Sequence, residues 1–264
     1  LLHQGRNMLP QIMELILHSK TKRYIASVDV KQMFPHVRLK KESDKDMLRY
    51  VWAPPGSSKP TMYRFKCLPF GILCSPYMAM WCLHETAKKM KEAYPKAAAI
   101  ILKKTYMDDI LIVGDTLKET IGLVKGVLAI LKEGGFYGHK INANDKRILD
   151  SIDENRTDRS QVVSLLGLKL DQETNQFQFD LDDKFTQFDP DAKKITRRHI
   201  VSLASQVFDT QGYVSPFVMQ FKKLLPMLWH KKAGWDENLL QKTVQTVDGQ
   251  TVQDPMAKEA VTLF

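Results

Sequence analysis

The chain has 264 residues, 44% of them hydrophobic, enough to bury a sizeable core and more than one average domain needs. Its 39 Lys and Arg against 30 Asp and Glu leave a formal charge of +9, a basic surface suited to a polyanionic partner and unlike a disordered polyelectrolyte. No apolar run approaches the roughly 20 residues that span a bilayer, and Leu1-Leu2-His3 is not the start of a signal peptide, so no membrane partner is expected.

In chain order, residues 10–18 read as a short helix with proline in its first turn. Residues 24–30 (YIASVDV) are short and β-branched, a strand that carries Asp29 to its C-terminal end. Two strand-like runs between 47 and 66 flank Pro54-Pro55-Gly56, whose turn chemistry predicts a projecting hairpin. Leu68-Pro69-Phe70-Gly71 is a turn, and Ser75-Pro76 opens a helix that backs the sheet. Residues 100–102 and 110–114 are expected to be two strands with Tyr106-Met107-Asp108-Asp109 between them, which puts both carboxylates at or beside a tight turn.

The next helix has an apolar stripe at Leu117, Ile121, Val124, Leu128 and Leu131. Thr116 with Glu119 forms a capping box at its start, and Gly134-Gly135 stops it. The polar stretch 150–160 reads as a surface loop, and 162–170 as a strand pair or bent strand around Gly167. Beyond Asp171 the pattern turns mainly helical, and 172–191 is the best candidate for a boundary. This order fits an α+β fold in which helices cover one face of an antiparallel sheet.

Cys67, Cys74 and Cys82 lie in apolar surroundings without a C-x-x-C pair, so reduced thiols are favoured over disulfides or zinc, as expected of an intracellular protein. The chemistry rests elsewhere. Adjacent carboxylates at a turn plus a third at the end of another strand suit a pair of Mg2+ ions, which favour hard oxygen ligands and two-metal phosphoryl transfer. An Asp-Asp turn or a strand-end Asp alone is usually solvated or locally hydrogen-bonded; their combination carries the argument.

At this point the sequence resembles the reverse transcriptases. Tyr106-Met107-Asp108-Asp109 looks like the family's catalytic hairpin, 27–34 (SVDVKQMF) like its first aspartate motif, and 68–76 (LPFGILCSP) like the segment that contacts template and incoming nucleotide. Gly134-Gly135-Phe136 with Lys140 resembles the following motif, and Leu165-Leu166-Gly167-Leu168 the turn that grips the primer. The resemblance implies a right-hand polymerase: an antiparallel palm sheet backed by helices, with partial fingers and a helical thumb. Residues 1–36 would begin the palm, 37–72 form the fingers hairpin, 73–172 complete the palm, and 173–264 be thumb or connection.

It also implies roles. Asp29, Asp108 and Asp109 would hold two Mg2+ ions, for which Mn2+ can substitute, with the Val30 carbonyl completing the coordination and Lys140 assisting the pyrophosphate leaving group. Phe34, Phe70, Gly71 and Met107 would meet the incoming nucleotide, Phe34 beneath the sugar, where a ring excludes a ribose 2′-hydroxyl. Leu166 and Gly167 would meet primer or template. Lys193, Lys194, Arg197 and Arg198 form a basic cluster before a helical stripe at Ile200, Leu203, Ala204 and Val207, either phosphate ligands or a solvated face. Trp229 and Trp235 are read as packing residues.

The series from Thr196 through Gly212-Tyr213-Val214-Ser215-Pro216 to Gly234-Trp235-Asp236 resembles the region after the polymerase core in BEL/Pao retrotransposons, with Phe208-Asp209-Thr210-Gln211-Gly212 where such elements usually read Phe-Asp-Pro-Leu-Gly. A primer on an RNA or DNA template and deoxynucleoside triphosphates are the implied partners. Protease, ribonuclease H and integrase domains are expected outside this chain, which reads as an excerpt of a polyprotein, cytoplasmic and carried in virus-like particles. An RNA-dependent RNA polymerase and a non-catalytic nucleic-acid-binding remnant are the alternatives.

Overall fold

The computed structural model describes residues 2–172, 174, 176–178, 196–206, 209, 211–230, 234–239, 243–245 and 251–253. The chain divides into two compact units, Leu1–Leu166 with Leu170–Gln176, and Gly167–Lys169 with Phe177–Phe264.

The first unit begins with α1 (Ile12–Ser19), β1 (Tyr24–Val30) and two short helices, α2 (Met33–His36) and α3 (Glu42–Asp46), before the hairpin of β2 (Arg49–Trp52) and β3 (Thr61–Arg64). There follow α4 (Ser75–Lys89), α5 (Pro95–Lys104), β4 (Thr105–Tyr106), β5 (Asp109–Gly114), α6 (Leu117–Glu133), β6 (Gly138–Ala143) and α7 (Lys146–Asp150). Strands β4, β5, β1 and β6 lie side by side in that order, each pair antiparallel. Ala26, Val28 and Val30 of β1 and Ile110 and Ile112 of β5 share one buried cluster with Met80 and Leu83 of α4, Ala98 and Ile101 of α5, and Val127, Ile130 and Leu131 of α6. Each large aliphatic side chain taken fully from water there contributes about 1.5–3 kcal/mol. On the opposite face, α1 packs against β5, and Ile25 and Leu111 are buried. Asp29 and Asp109 stand further along that same face.

Two of the elements expected from the sequence differ in the structure. Residues 100–102, expected as a strand, belong to α5: Pro95 occupies its first turn, and Ala97, Ala98 and Ile101 are its buried face. Proline at a helix start and three consecutive alanines outweigh two β-branched isoleucines, leaving only Thr105–Tyr106 to pair with β5. The buried face of α6 is centred on Thr120, Leu123, Val124, Val127, Ile130 and Leu131, while Leu117, Ile121 and Leu128 are only partly buried. The helix packs on α4, α5 and the sheet together, so its apolar face is wider than one stripe. Its cap is as expected on one side, with Thr116 Oγ1 accepting from Glu119 N at 3.2 Å; the Glu119 carboxylate reaches instead to Asp115 N and to Lys96.

The β2–β3 hairpin is exposed on both faces. Tyr50 stacks on Tyr63 with ring centroids 5.6 Å apart and meets Phe65 at 4.6 Å, while Arg64 bridges Glu42 at 2.6 Å and Asp46 at 2.9 Å. Single exposed ion pairs contribute at most about 1 kcal/mol; the bridge ties the hairpin to α3.

Downstream, β7 (Val162–Leu165), β8 (Leu168–Asp171) and β9 (Gln176–Gln178) form a three-stranded sheet. In the second unit, the described residues include α8 (Arg197–Gln206), α9 (Ser215–His230) and a small pair, β10 (Thr243–Gln245) with β11 (Thr251–Gln253). Asp209 starts α9 by accepting from the backbone N–H groups of Tyr213 and Val214 at 3.0 and 2.8 Å, the N-terminal donors a helix otherwise leaves unpaired.

Candidate active site

Sheet register aligns the site. Tyr106 pairs with Asp109, Asp109 with Asp29, and Asp29 with His139, across β4, β5, β1 and β6. Directly paired residues of antiparallel strands point to the same face, so two carboxylates and an imidazole form a row on the face away from α4 and α6. Met107 and Asp108 form the two-residue turn between β4 and β5. Met107 has φ 56, a left-handed conformation that costs a residue with a Cβ about 1–2 kcal/mol. The turn is tied to the first aspartate strand by Val30 N–H donating to the Asp108 carbonyl at 2.8 Å.

Asp29, Val30, Gln32, Met33, Phe34, Phe70, Met107 and Asp108 line one cleft of about 290 Å³. It gathers six residues singled out from the sequence and adds Gln32 and Met33. Gln32 has φ 47 and precedes α2, which presents Phe34; the Phe34 and Phe70 rings lie 5.2 Å apart at 49°. Gly71, next to Phe70, has φ 80 with open space around it.

Electrostatics mark the carboxylates as strained. Burial, then Asp108 and Asp29, push the Asp109 carboxyl up to about 6, with Lys140 opposing. Asp108 is also raised, first by desolvation and further by Asp29, against a backbone hydrogen bond, His139 and Lys140. His139 Nε2 lies 2.5 Å from Asp29 Oδ1. As they stand, no three His, Cys, Asp or Glu side chains among the described residues converge on a single ion position. The donor chemistry nonetheless fits divalent cations: three neighbouring carboxylates, two of them disfavoured in the charged form, present hard oxygens whose repulsion a cation relieves.

Lys140 is the extra residue of a β-bulge in β6, with φ 45. The sequence reading assigned no strand there and gave His139 no role. Alternation of Gly138, Ile141 and Ala143 with polar residues was a weak sign of the strand. Neighbouring Tyr137 carries the Arg156 guanidinium 4.3 Å from its ring.

Leu166 and Gly167 have φ 52 and 82, the consecutive left-handed pair of a tight hairpin turn joining β7 to β8; Leu166 is buried and Gly167 exposed. Lys193 and Lys194 lie outside the described residues, as do Val207 and the side chains of Leu203 and Ala204. Arg197 and Arg198 differ from the basic cluster expected. The Arg197 guanidinium is buried, 4.2 Å from the Trp229 ring and 5.1 Å from that of Trp235, and the two indoles meet edge to face at 5.8 Å. Arg198 forms a two-pronged ion pair with Asp236 at 2.8 and 3.1 Å. Both cations hold the second unit together, a commitment that charge counting along the sequence does not register.

The family described as Reverse transcriptase (RNA-dependent DNA polymerase) matches residues 2–170. A Pao retrotransposon-like RNaseH-like domain matches residues 196–262, where the sequence reading expects a thumb or connection and sees no ribonuclease H signature. No curated protein matches the chain. Among solved structures, a foamy viral protease-reverse transcriptase in complex with RNA/DNA hybrid is 14% identical, with a TM-score of 0.53 over 91% of this chain and 27% of its own. The foamy viral protease-reverse transcriptase dRH in complex with double-stranded DNA is 15% identical, with a TM-score of 0.55 over 99% of this chain and 38% of its own. The chain thus spans well under half the length of either, and at such identity the likeness is one of fold. No helix among the described residues is long and apolar enough to cross a membrane.

Proposed function

The chain belongs to the reverse transcriptase (RNA-dependent DNA polymerase) family, and from that premise we propose that it extends a primer 3′-hydroxyl with deoxynucleoside triphosphates on an RNA or DNA template, as the polymerase part of a BEL/Pao-like retrotransposon polyprotein. The observation that carries this reading is the juxtaposition of Asp29, Asp109 and the Asp108 turn beside a cleft lined by Phe34 and Phe70.

In the reaction, the primer 3′-oxygen attacks the α-phosphorus, the bond to the β-phosphate breaks, and pyrophosphate leaves. Two Mg2+ ions, or Mn2+ in their place, when bound ease deprotonation of the attacking hydroxyl and offset charge on the leaving group. Asp29 and Asp108 would be their principal ligands, with the Val30 carbonyl, and Asp109 would assist. Lys140, whose charge already acts on Asp108 and Asp109, would offset or protonate the departing pyrophosphate. Catalysis is then mainly positioning and charge stabilisation. Phe34, braced by Phe70, would lie under the sugar and exclude a 2′-hydroxyl, while Met107 and Gly71 border the nucleotide. The β7–β8 turn at Leu166 and Gly167 would contact primer or template through its backbone.

Primer extension on poly(rA)/oligo(dT) with dTTP or UTP in Mg2+ tests the reading. Extension with dTTP and little with UTP is expected; preference for UTP would replace it with an RNA polymerase, and template binding without extension by either would leave a nucleic-acid-binding remnant.

A further inference from the structure

The β2–β3 hairpin has two unlike faces. Cross-strand pairing sets Tyr50 opposite Tyr63, Val51 opposite Met62 and Trp52 opposite Thr61, and side chains alternate along each strand. Tyr50, Trp52 and Tyr63 therefore share one face, and Val51 and Met62 share the other. On the first face the rings form a continuous row. Phe65, partly buried against the core, meets Tyr50; Tyr50 stacks on Tyr63, and Trp52 meets Tyr63 edge-on with centroids 6.0 Å apart. The row is held at its base and open beyond it, with Tyr50, Tyr63 and Trp52 still 40, 39 and 49% exposed.

Exposed apolar surface gathered in one place marks a binding surface, and the charge around this one says of what kind. Residues 38–66 hold eight Lys and Arg against three Asp and Glu, an excess of five in a chain whose total excess is nine. Glu42 and Asp46 are taken up by Lys45, Arg49 and Arg64. Arg38, Lys40, Lys41, Lys59 and Lys66 have no carboxylate partner among the described residues. A second copy docking through this hairpin would set like charge against like, which opposes association. A single strand of nucleic acid meets both features, since its phosphates draw lysine and arginine and its unpaired bases offer flat faces to aromatic rings.

We propose that Tyr50, Tyr63 and Trp52 form a stacking platform for the bases of an unpaired nucleic-acid strand, the template ahead of the position being copied. This rests on the reading that the chain copies a template. The connections of the hairpin suit the role: it is strung between α2, which presents Phe34, and Phe70, and both rings line the candidate nucleotide cleft. Bases within a duplex are already stacked on one another, so the platform acts on the single strand alone.

The test is fluorescence anisotropy of a labelled primer-template bound by the full 264-residue chain, the template either ending flush with the primer or continuing as an unpaired 5′ overhang. The variants are Trp52→Leu, which keeps an apolar side chain without a ring, Trp52→Phe, which restores a ring, and Val51→Ala combined with Met62→Ala on the opposite face. The unmodified protein should bind the overhang form more tightly than the flush form. Trp52→Leu should weaken binding of the overhang form by about 5- to 100-fold, the worth of one stacked base, and leave the flush form within about twofold. Trp52→Phe should recover most of the loss, and the Val51 and Met62 pair should match the unmodified protein. Thermal melts identify any variant that fails to fold, and Tyr63→Leu then carries the comparison. Equal affinity of the unmodified protein for both forms, or overhang binding by Trp52→Leu within about twofold of it, would overturn the inference alone, as would an equal loss in the Val51 and Met62 pair. A dimer of the unmodified chain in sedimentation that Trp52→Leu dissociates would assign the face to a second copy and overturn it likewise. Absence of binding to either form would overturn the template-copying reading and the inference with it.

Discussion

Asp109→Asn should stabilise the metal-free protein, and by more as the pH rises. The Asp109 carboxyl moves from 3.8 to about 6 on folding, chiefly through burial and then through Asp108 and Asp29. Because the folded value lies above the unfolded one, ionisation is less favourable in the folded state. Well below pH 3.8 the group is neutral in both states and costs nothing; the penalty grows through the interval and is complete above pH 6. At 1.36 kcal/mol per pH unit, the penalty is about 1 kcal/mol at pH 4.5 and about 3 kcal/mol at pH 8. Asparagine keeps the shape and removes the charge. For a unit of this size 1 kcal/mol is worth roughly 2–4 °C, so the variant should melt about 6–12 °C higher at pH 8 in EDTA and only a few degrees higher at pH 4.5. Adding Mg2+ should narrow the gap, since a cation that binds the folded carboxylates stabilises only the unmodified protein appreciably. Calorimetry with and without EDTA at the two pH values measures all three quantities. A variant no more stable at pH 8, or a gap that widens toward acid, would show that Asp109 is not an ionised group held in a strained site.

Phe34→Val should raise ribonucleotide incorporation relative to deoxyribonucleotide by about 10- to 100-fold, the range that pocket contacts of this size discriminate, as read by kcat/KM for UTP and dTTP. Unchanged selectivity would remove Phe34 from the sugar contact. Lys140→Ala should lower kcat by about 100-fold, typical of a lost general acid, with little change in KM for dTTP; an unaltered kcat would leave Lys140 a bulge residue only. Arg197→Ala should destabilise the second unit by about 2 kcal/mol through loss of its contact with both indoles, visible in thermal melts. The salt dependence of primer-template binding should stay the same, and a shallower slope would make Arg197 a phosphate ligand after all.

Elements with strong local signals were legible in the sequence: β1 from its β-branched run, the β2–β3 hairpin from Pro54-Pro55-Gly56, and α4 and α6 from their starts and apolar spacing. Helix α5 was not, because Ile100-Ile101-Leu102 carries the composition of a strand, and only packing of Ala97 and Ala98 against α6 decides the matter. Strand β6 was missed because its bulge breaks the alternation by which strands are recognised. That same bulge hides His139, whose place opposite Asp29 depends on a register between strands more than a hundred residues apart in sequence. The motif aspartates and Phe34 could be named from sequence, but the convergence of Asp29, Asp108 and Phe34 on one cleft, with Asp109 paired beside Asp29, could not. Arg197 shows the opposite failure: its charge pointed outward, while the two tryptophans that enclose it lie a full helix downstream.

The most direct measurement is the rate of dTTP addition to oligo(dT) on poly(rA) in Mg2+ for the unmodified protein and for Asp108→Asn combined with Asp109→Asn. The account predicts metal-dependent extension by the first and none above background by the second. Extension that survives the double substitution would contradict the claim that these carboxylates hold the catalytic ions.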